Sequence, residues 1–264
     1  MFKLTPVVKN LLIINVVVFI LQSLVASLNF TGILSLWKIG SENFAPYQFF
    51  TYMFAHGGFG HILFNMLGLV FLGPMLEQFW GPKRFITFYL ITGIGAGVLY
   101  SGIEYVRMND LESDVEAYVI DPTPDNLNVF VDDNSQYFGP SIYEFITDFS
   151  RQPDNQAYIN ESKSIVKSLY NKAFNYGSML GASGAIYGVL MAFGMLFPNT
   201  ELMLLFPPIP IKAKYLVLIL GAIALYSGLS RNPGDNVAHF AHLGGMIFAF
   251  IMIKYWQSQR NKFY

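Results

Sequence analysis

The chain has 264 residues, of which 53% are apolar and only 12% charged, about half the charged share of a soluble globular domain. Mean hydropathy is +0.42 and net charge is −1, which excludes an ordinary soluble domain and leaves no electrostatic case for binding nucleic acid. There are no cysteines, so disulfides, thiolate nucleophiles and thiolate metal sites are excluded as well.

A bilayer core of about 30 Å needs roughly 20 helical residues. Six apolar stretches approach that length, at about 10–29, 60–80, 85–104, 178–198, 214–230 and 237–256. The first follows Lys3 and Lys9, as a signal peptide would. Its apolar run from Leu11 to Leu28, with polar breaks at Asn15, Gln22 and Ser23, exceeds a secretory h-region, and no small-residue cleavage site follows. It is expected to be a transmembrane helix.

Between the third and fourth stretches lies a segment of different composition, 104–177. It holds 13 of the 17 acids and 5 of the 16 basic residues, a net charge of −8. Helical spacing recurs from Ser141 to Phe149 and from Glu161 to Ala173, between Pro- and Asp-rich turns. Its low hydrophobicity does not decide whether it is ordered. The chain is thus expected to divide into helices 1–3 over 1–103, an acidic insertion over 104–177, and helices 4–6 over 178–264.

Orientation follows from the short loops. With six spans both termini share one side, which carries Lys3, Lys9, Lys83, Arg84, Lys212, Lys214, Lys254, Arg260 and Lys262. The opposite short loops carry Lys38 and Arg231. The positive-inside rule then places both termini in the cytoplasm and the insertion outside, and the expected location is a bacterial cytoplasmic (inner) membrane.

Four histidines exist, and all lie at the outer ends of these stretches: His56 and His61 in FAHGGFGHILFN, His239 and His242 in VAHFAHLGG. An ionisable group at membrane depth is costly unless satisfied, so each is a functional candidate; the bland alternative is a wet position among headgroups. His61 and Asn65 are four apart and share one helix face, where two donors could hold an oxyanion or bond a neighbouring helix. Ser183 sits in GASGAIYG, between Gly181, Ala182 and Gly184, Ala185, where an apolar run begins. Small residues there suit close helix packing. That is the simpler reading of the run by itself; the functional one is a nucleophile at a helix N-terminus, where free N–H groups stabilise an oxyanion, with Gly181 and Gly184 admitting a substrate backbone.

GASGAIYG, HILFN and AHLGG, in this order and on these helices, resemble the rhomboid family of intramembrane serine proteases, and the likeness covers all but the insertion. The resemblance implies an all-α membrane protein, a six-helix bundle with a soluble insertion between helices 3 and 4. It implies a Ser–His dyad, with Ser183 in the nucleophile's place. His242 rather than His239 takes the base's place, because the family has small residues three and seven positions later. Gly245 and Ala249 follow His242 at those positions, whereas His242 and Met246 follow His239.

Tyr187 matches the aromatic that packs on the catalytic ring, and His61 and Asn65 match the oxyanion positions. His56 matches an outer histidine, His239 becomes a supporting group, and Glu77 fits a carboxylate expected in a structural ion pair. One departure is Tyr47-Gln48, where the family often has Trp-Arg, which leaves the anchoring of the first outer loop without its usual cation. Gly93 and Gly97 are expected to mediate contacts between helices.

Asp235 invites a third catalytic member, although capping by Asp235 or Asn236 is the simpler role. The expected partners are transmembrane protein substrates and the lipid bilayer, with no nucleic acid, metal or cofactor: four histidines without a carboxylate at ligand spacing make no zinc site. Two other classes remain in view. One is a non-proteolytic rhomboid-like protein that binds or routes client helices. The other is a transporter, for which no pair of interrupted half-helices is present.

Overall fold

The computed structural model describes residues 4–25, 29–175, 177–203, 208–230 and 237–260. Helix α1 (Pro6–Leu24) starts on a proline, whose missing N–H costs nothing there. A single-turn α2 (Phe30–Leu34) and α3 (Gln48–Thr51), which runs on into a tight turn at Tyr52–Phe54, form the first connecting loop. Then come α4 (Phe59–Trp80) and α5 (Pro82–Ile120), joined through Gly81 at φ +79°. Helices α6 (Pro124–Asp133), α7 (Ser141–Arg151) and α8 (Gln156–Asn175) follow, then α9 (Ser183–Leu196), α10 (Ala213–Ser230) and α11 (His239–Arg260). A short antiparallel pair, β1 (Glu201–Met203) and β2 (Pro210–Lys212), links α9 to α10.

Helices α1, α4, α5 and α10 are long and apolar enough to cross a membrane; α9 is apolar but spans only 14 residues. The apolar stretches of α1 and α10 are only 22% buried, against 44% for α4 and α5, so the first two ride on the periphery with Ile, Leu and Val facing outward. α9 stands at the centre, packed on α11, α5, α4 and α10.

That central position rests on missing side chains. A methyl on Gly184 would lie 2.6 Å from Ala96 Cβ of α5, one on Gly188 would lie 2.7 Å from Thr92 Cβ, and one on Gly245 of α11 would run into the Gly184 carbonyl. The expected role of Gly93 and Gly97 is corrected by their neighbours. Both make room for the first loop, Gly93 for Met53 and Gly97 for Tyr52 and Leu36, whereas Gly95 and Ala96 meet α11 and α9.

The segment expected as an insertion from 104 has no boundary there. α5 runs unbroken from the bundle to Ile120, because no Pro or Gly interrupts it after Gly102. The segment is ordered around its own apolar cluster, where Met108, Leu111, Val115 and Tyr118 of α5 meet Leu127, Phe130, Ile142, Ile146, Phe149 and Val166. Tyr118 donates to Ser162 Oγ (2.6 Å) within it, and burial pushes the Tyr118 phenol up. The sparse apolar residues suffice because α7 gathers Ile142, Ile146 and Phe149 on one face.

At the other end of the bundle, Glu77 of α4 accepts the N–H groups of Val7 and Val8, each at 3.0 Å. Among the described residues Glu77 makes no ion pair of the kind expected; it caps the N-terminus of α1, where free N–H groups and the helix dipole favour a carboxylate.

Candidate active site

Two backbone pairings deliver Ser183 to its position. Met179 exchanges hydrogen bonds with Leu36 (2.8 and 2.9 Å), and Gly181 N–H donates to the Tyr52 carbonyl (2.9 Å). Gly181 stands at φ +119°, and a Cβ there would lie 2.5 Å from His61 Nε2. Glycine at 181 thus yields space to the His61 ring, and glycine at 184 yields it to Ala96. For both, neighbouring side chains take the room that a substrate backbone was expected to use. Ser183 opens α9, so its own N–H and the next two have no partner within the helix.

Facing it, His242 lies in the first turn of α11 with 8% of its surface exposed. Its Nε2 is 2.8 Å from Ser183 Oγ. Tyr187, one turn after Ser183, lies flat on the imidazole, with ring centroids 4.1 Å apart and planes within 4°. Among the described residues no acceptor reaches His242 Nδ1, and the stacked Tyr187 ring is what holds the imidazole there. Asp235 and Asn236 lie outside the described residues. His239 meets His242 edge-on at 6.0 Å.

On the α4 side, His61 Nδ1 accepts the Gly57 N–H at 3.3 Å. In the neutral ring this leaves the proton on Nε2, the atom turned toward Gly181. Asn65 is buried, and its amide nitrogen has no partner among the described residues; that nitrogen lies 3.7 Å from where a Gly181 side chain would begin. Two N–H donors therefore converge beside the turn carrying Ser183. His56 precedes α4 and packs edge-on against His61 at 5.1 Å. Burial and then the neighbouring His61 push His56 down to about 4.

Three residues outside the motifs hold this arrangement. Gln22, a polar break in α1, accepts the His56 N–H (3.0 Å) and donates to Thr31 Oγ1 (2.9 Å). Gln48 is 1% exposed; it accepts the N–H groups of Trp37 (3.2 Å) and Ala45 (3.1 Å) and donates to the Asn43 carbonyl (2.8 Å). The first loop is thus anchored by an amide where an arginine was missed. Tyr52 donates to the Gly93 carbonyl (2.6 Å) while its own carbonyl holds Gly181. Polar residues inside apolar runs were the signal available for Gln22, and Gln48 stood in the place of the family's loop arginine; Tyr52 gave no signal.

Beside the site, a cavity of about 880 Å³ separates the bundle from the second apolar cluster. Tyr100, Glu104, Arg107, Asp110, Lys172 and His239 are among its walls.

The rhomboid domain family model matches residues 43–109 and 159–258. The chain belongs to the rhomboid family. The match leaves out 110–158, most of the second cluster. A mitochondrial RHOMBOID-like protein 12 of Arabidopsis thaliana is 25% identical over 83% of this chain and 54% of its own length. The putative rhomboid protease YdcA of Bacillus subtilis is 30% identical over 35% of this chain and 47% of its own length. An Arabidopsis protein named inactive RHOMBOID-like protein 8 is 35% identical over 22% of this chain and 16% of its own. The chain thus spans about half the length of the first two relatives, and the family holds members named as proteases and members named as inactive.

Proposed function

We propose that the protein is an intramembrane serine endopeptidase that cuts transmembrane segments of other proteins with a Ser183–His242 dyad. The observation that carries the reading is the 2.8 Å contact between His242 Nε2 and Ser183 Oγ, within the range of a nucleophile and its general base. His242 takes the proton of Ser183 as Oγ attacks a peptide carbonyl. The developing oxyanion is met by His61 Nε2–H, the Asn65 amide and the free N–H of Ser183 at the start of α9. His242 then protonates the leaving amine, and water, activated by the same ring, releases the acyl group. The parallel Tyr187 ring keeps the imidazole aimed while its charge changes.

In this reading α1, α4, α5, α9, α10 and α11 are the six membrane helices. Both termini face the cytoplasm, and residues 104–177 stand outside over the water-accessible end of the site. A non-proteolytic role as a client-binding protein is the reading that an intact dyad argues against. The test is detergent-purified protein treated with a serine-directed fluorophosphonate probe: the proposal expects labelling that Ser183→Ala removes. Labelling that survives Ser183→Ala, or none in the unaltered protein, refutes it.

A further inference from the structure

His242 occupies the most vulnerable part of its helix. It is the fourth residue of α11, and its N–H and that of Ala241 both turn back to the Ala238 carbonyl, at 3.3 and 2.9 Å. First turns lack the full hydrogen-bond ladder and open at low free energy. The dyad distance therefore depends on whatever clamps residues 238–242 from outside the helix. Tyr187 presses on the front of this turn. At about 100° per residue, Phe240 points away from His242 by roughly 200°, so the back of the turn needs a second support.

Arg107 supplies it. Its Nη1 pairs with Glu104 Oε1 at 3.0 Å, one turn earlier on α5. Its Nη2 donates to the Gly228 carbonyl at 3.1 Å. Gly228 is in the last described turn of α10, toward the negative end of the helix dipole, where a cation is favoured. The guanidinium carbon lies 4.9 Å from the centre of the Phe240 ring, within cation–π range. Gly228 closes the circle, since a Cβ there would meet Phe240 at 3.2 Å and His239 Cβ at 3.4 Å. One planar side chain thus ties three helices together, and two of its three partners belong to the junction that presents His242. Glu104 fixes the orientation of the fork from below.

From this geometry we infer that Arg107 is a positioning residue for the dyad: it holds the back of the first turn of α11, through Phe240 and Gly228, so that His242 Nε2 stays within reach of Ser183. The inference rests on the dyad reading and adds to it a residue that touches neither substrate nor the reacting atoms. Lysine cannot replace it fully. A single ammonium lacks the flat fork that meets Glu104, the carbonyl and the ring at once.

The experiment compares the full chain, in detergent, with Arg107→Ala, Arg107→Lys and Phe240→Leu. Three quantities are read: the fluorophosphonate labelling rate at Ser183, kcat and KM on one transmembrane substrate, and the thermal unfolding midpoint. Labelling and kcat are expected to fall about tenfold or more in Arg107→Ala, inside the roughly 10²-fold loss that a 1 Å misplacement brings. KM should stay near its original value, and Arg107→Lys and Phe240→Leu should lie in between. A folded Arg107→Ala protein that labels at the original rate overturns the inference, as does a change confined to KM or to the unfolding midpoint. If Arg107→Ala does not fold, the same criteria applied to Arg107→Lys and Phe240→Leu decide. Failure of the dyad reading looks different, because then the unaltered protein itself is not labelled.

Discussion

The closest approach in the bundle makes the sharpest test of how packing serves the site. A Cβ built on Gly245 collides with the Gly184 carbonyl oxygen, and lies 2.8 Å from its carbon and 3.3 Å from Gly188 N. All three are backbone atoms of α9, so no side chain can rotate out of the way. An ordinary carbon–carbon contact is about 3.5–4.0 Å, so relieving the carbon contact alone moves α11 back by roughly 0.7–1.2 Å, and the collision with the oxygen requires more. Added to the 2.8 Å between His242 and Ser183, that shift takes the pair to about 3.5–4.0 Å, outside hydrogen-bond range. The stability cost is smaller. Overpacking costs about 1–3 kcal/mol, offset by the roughly 0.5–1 kcal/mol that alanine gains over glycine in a helix. The expected result is a labelling rate at Ser183 lower by on the order of 10²-fold, in a protein that unfolds only slightly earlier. Gly102→Ala is the control, because nothing lies within 4 Å of that position in α5; it should label normally. A Gly245→Ala protein that labels as fast as the unaltered chain, or a control that slows equally, refutes the argument.

His242→Ala should abolish labelling and cleavage while His239→Ala keeps substantial activity; the opposite pattern in cleavage assays would reassign the base. His61→Ala and Asn65→Ala should each lower kcat by about 10²–10³-fold, the loss of one oxyanion donor, and unchanged turnover in the double variant would return the pair to helix packing. Glu77→Ala removes two charge-assisted bonds to the start of α1 and should lower stability by roughly 1–3 kcal/mol, with labelling at Ser183 retained at permissive temperature; an unaltered unfolding midpoint would contradict the capping role. Replacing 109–176 with a Gly/Ser linker keeps Arg107 and should preserve labelling at Ser183, with any change confined to full-length substrates. Loss of labelling in a folded variant would show that this segment helps to build the site.

Much of the site was legible because its parts carry local signals. A serine among glycines, histidines at the ends of apolar runs and an asparagine one turn from a histidine are visible within a dozen residues. Helix periodicity then places Tyr187 on the face of Ser183. What stayed hidden depends on partners far along the chain. Gln22 reaches His56 across 34 residues, Glu77 meets Val7 across 70, and Arg107 meets Gly228 across 121.

Composition and hydropathy alone determined that this is a helical membrane protein, because a bilayer demands long apolar helices whatever their neighbours. The motifs, through their resemblance to the rhomboid family, singled out Ser183 and His242. Only the tertiary structure decided that Nε2 of one stands 2.8 Å from Oγ of the other. It also decided that Gly181 makes room for a ring, that Gln48 anchors a loop lacking its arginine, and that an acidic segment has an apolar centre. The physical reason is common to all of these. Distances between side chains follow from how closely helix backbones approach, and that approach is set by which small residues face each other, a pairing that no single stretch of sequence contains.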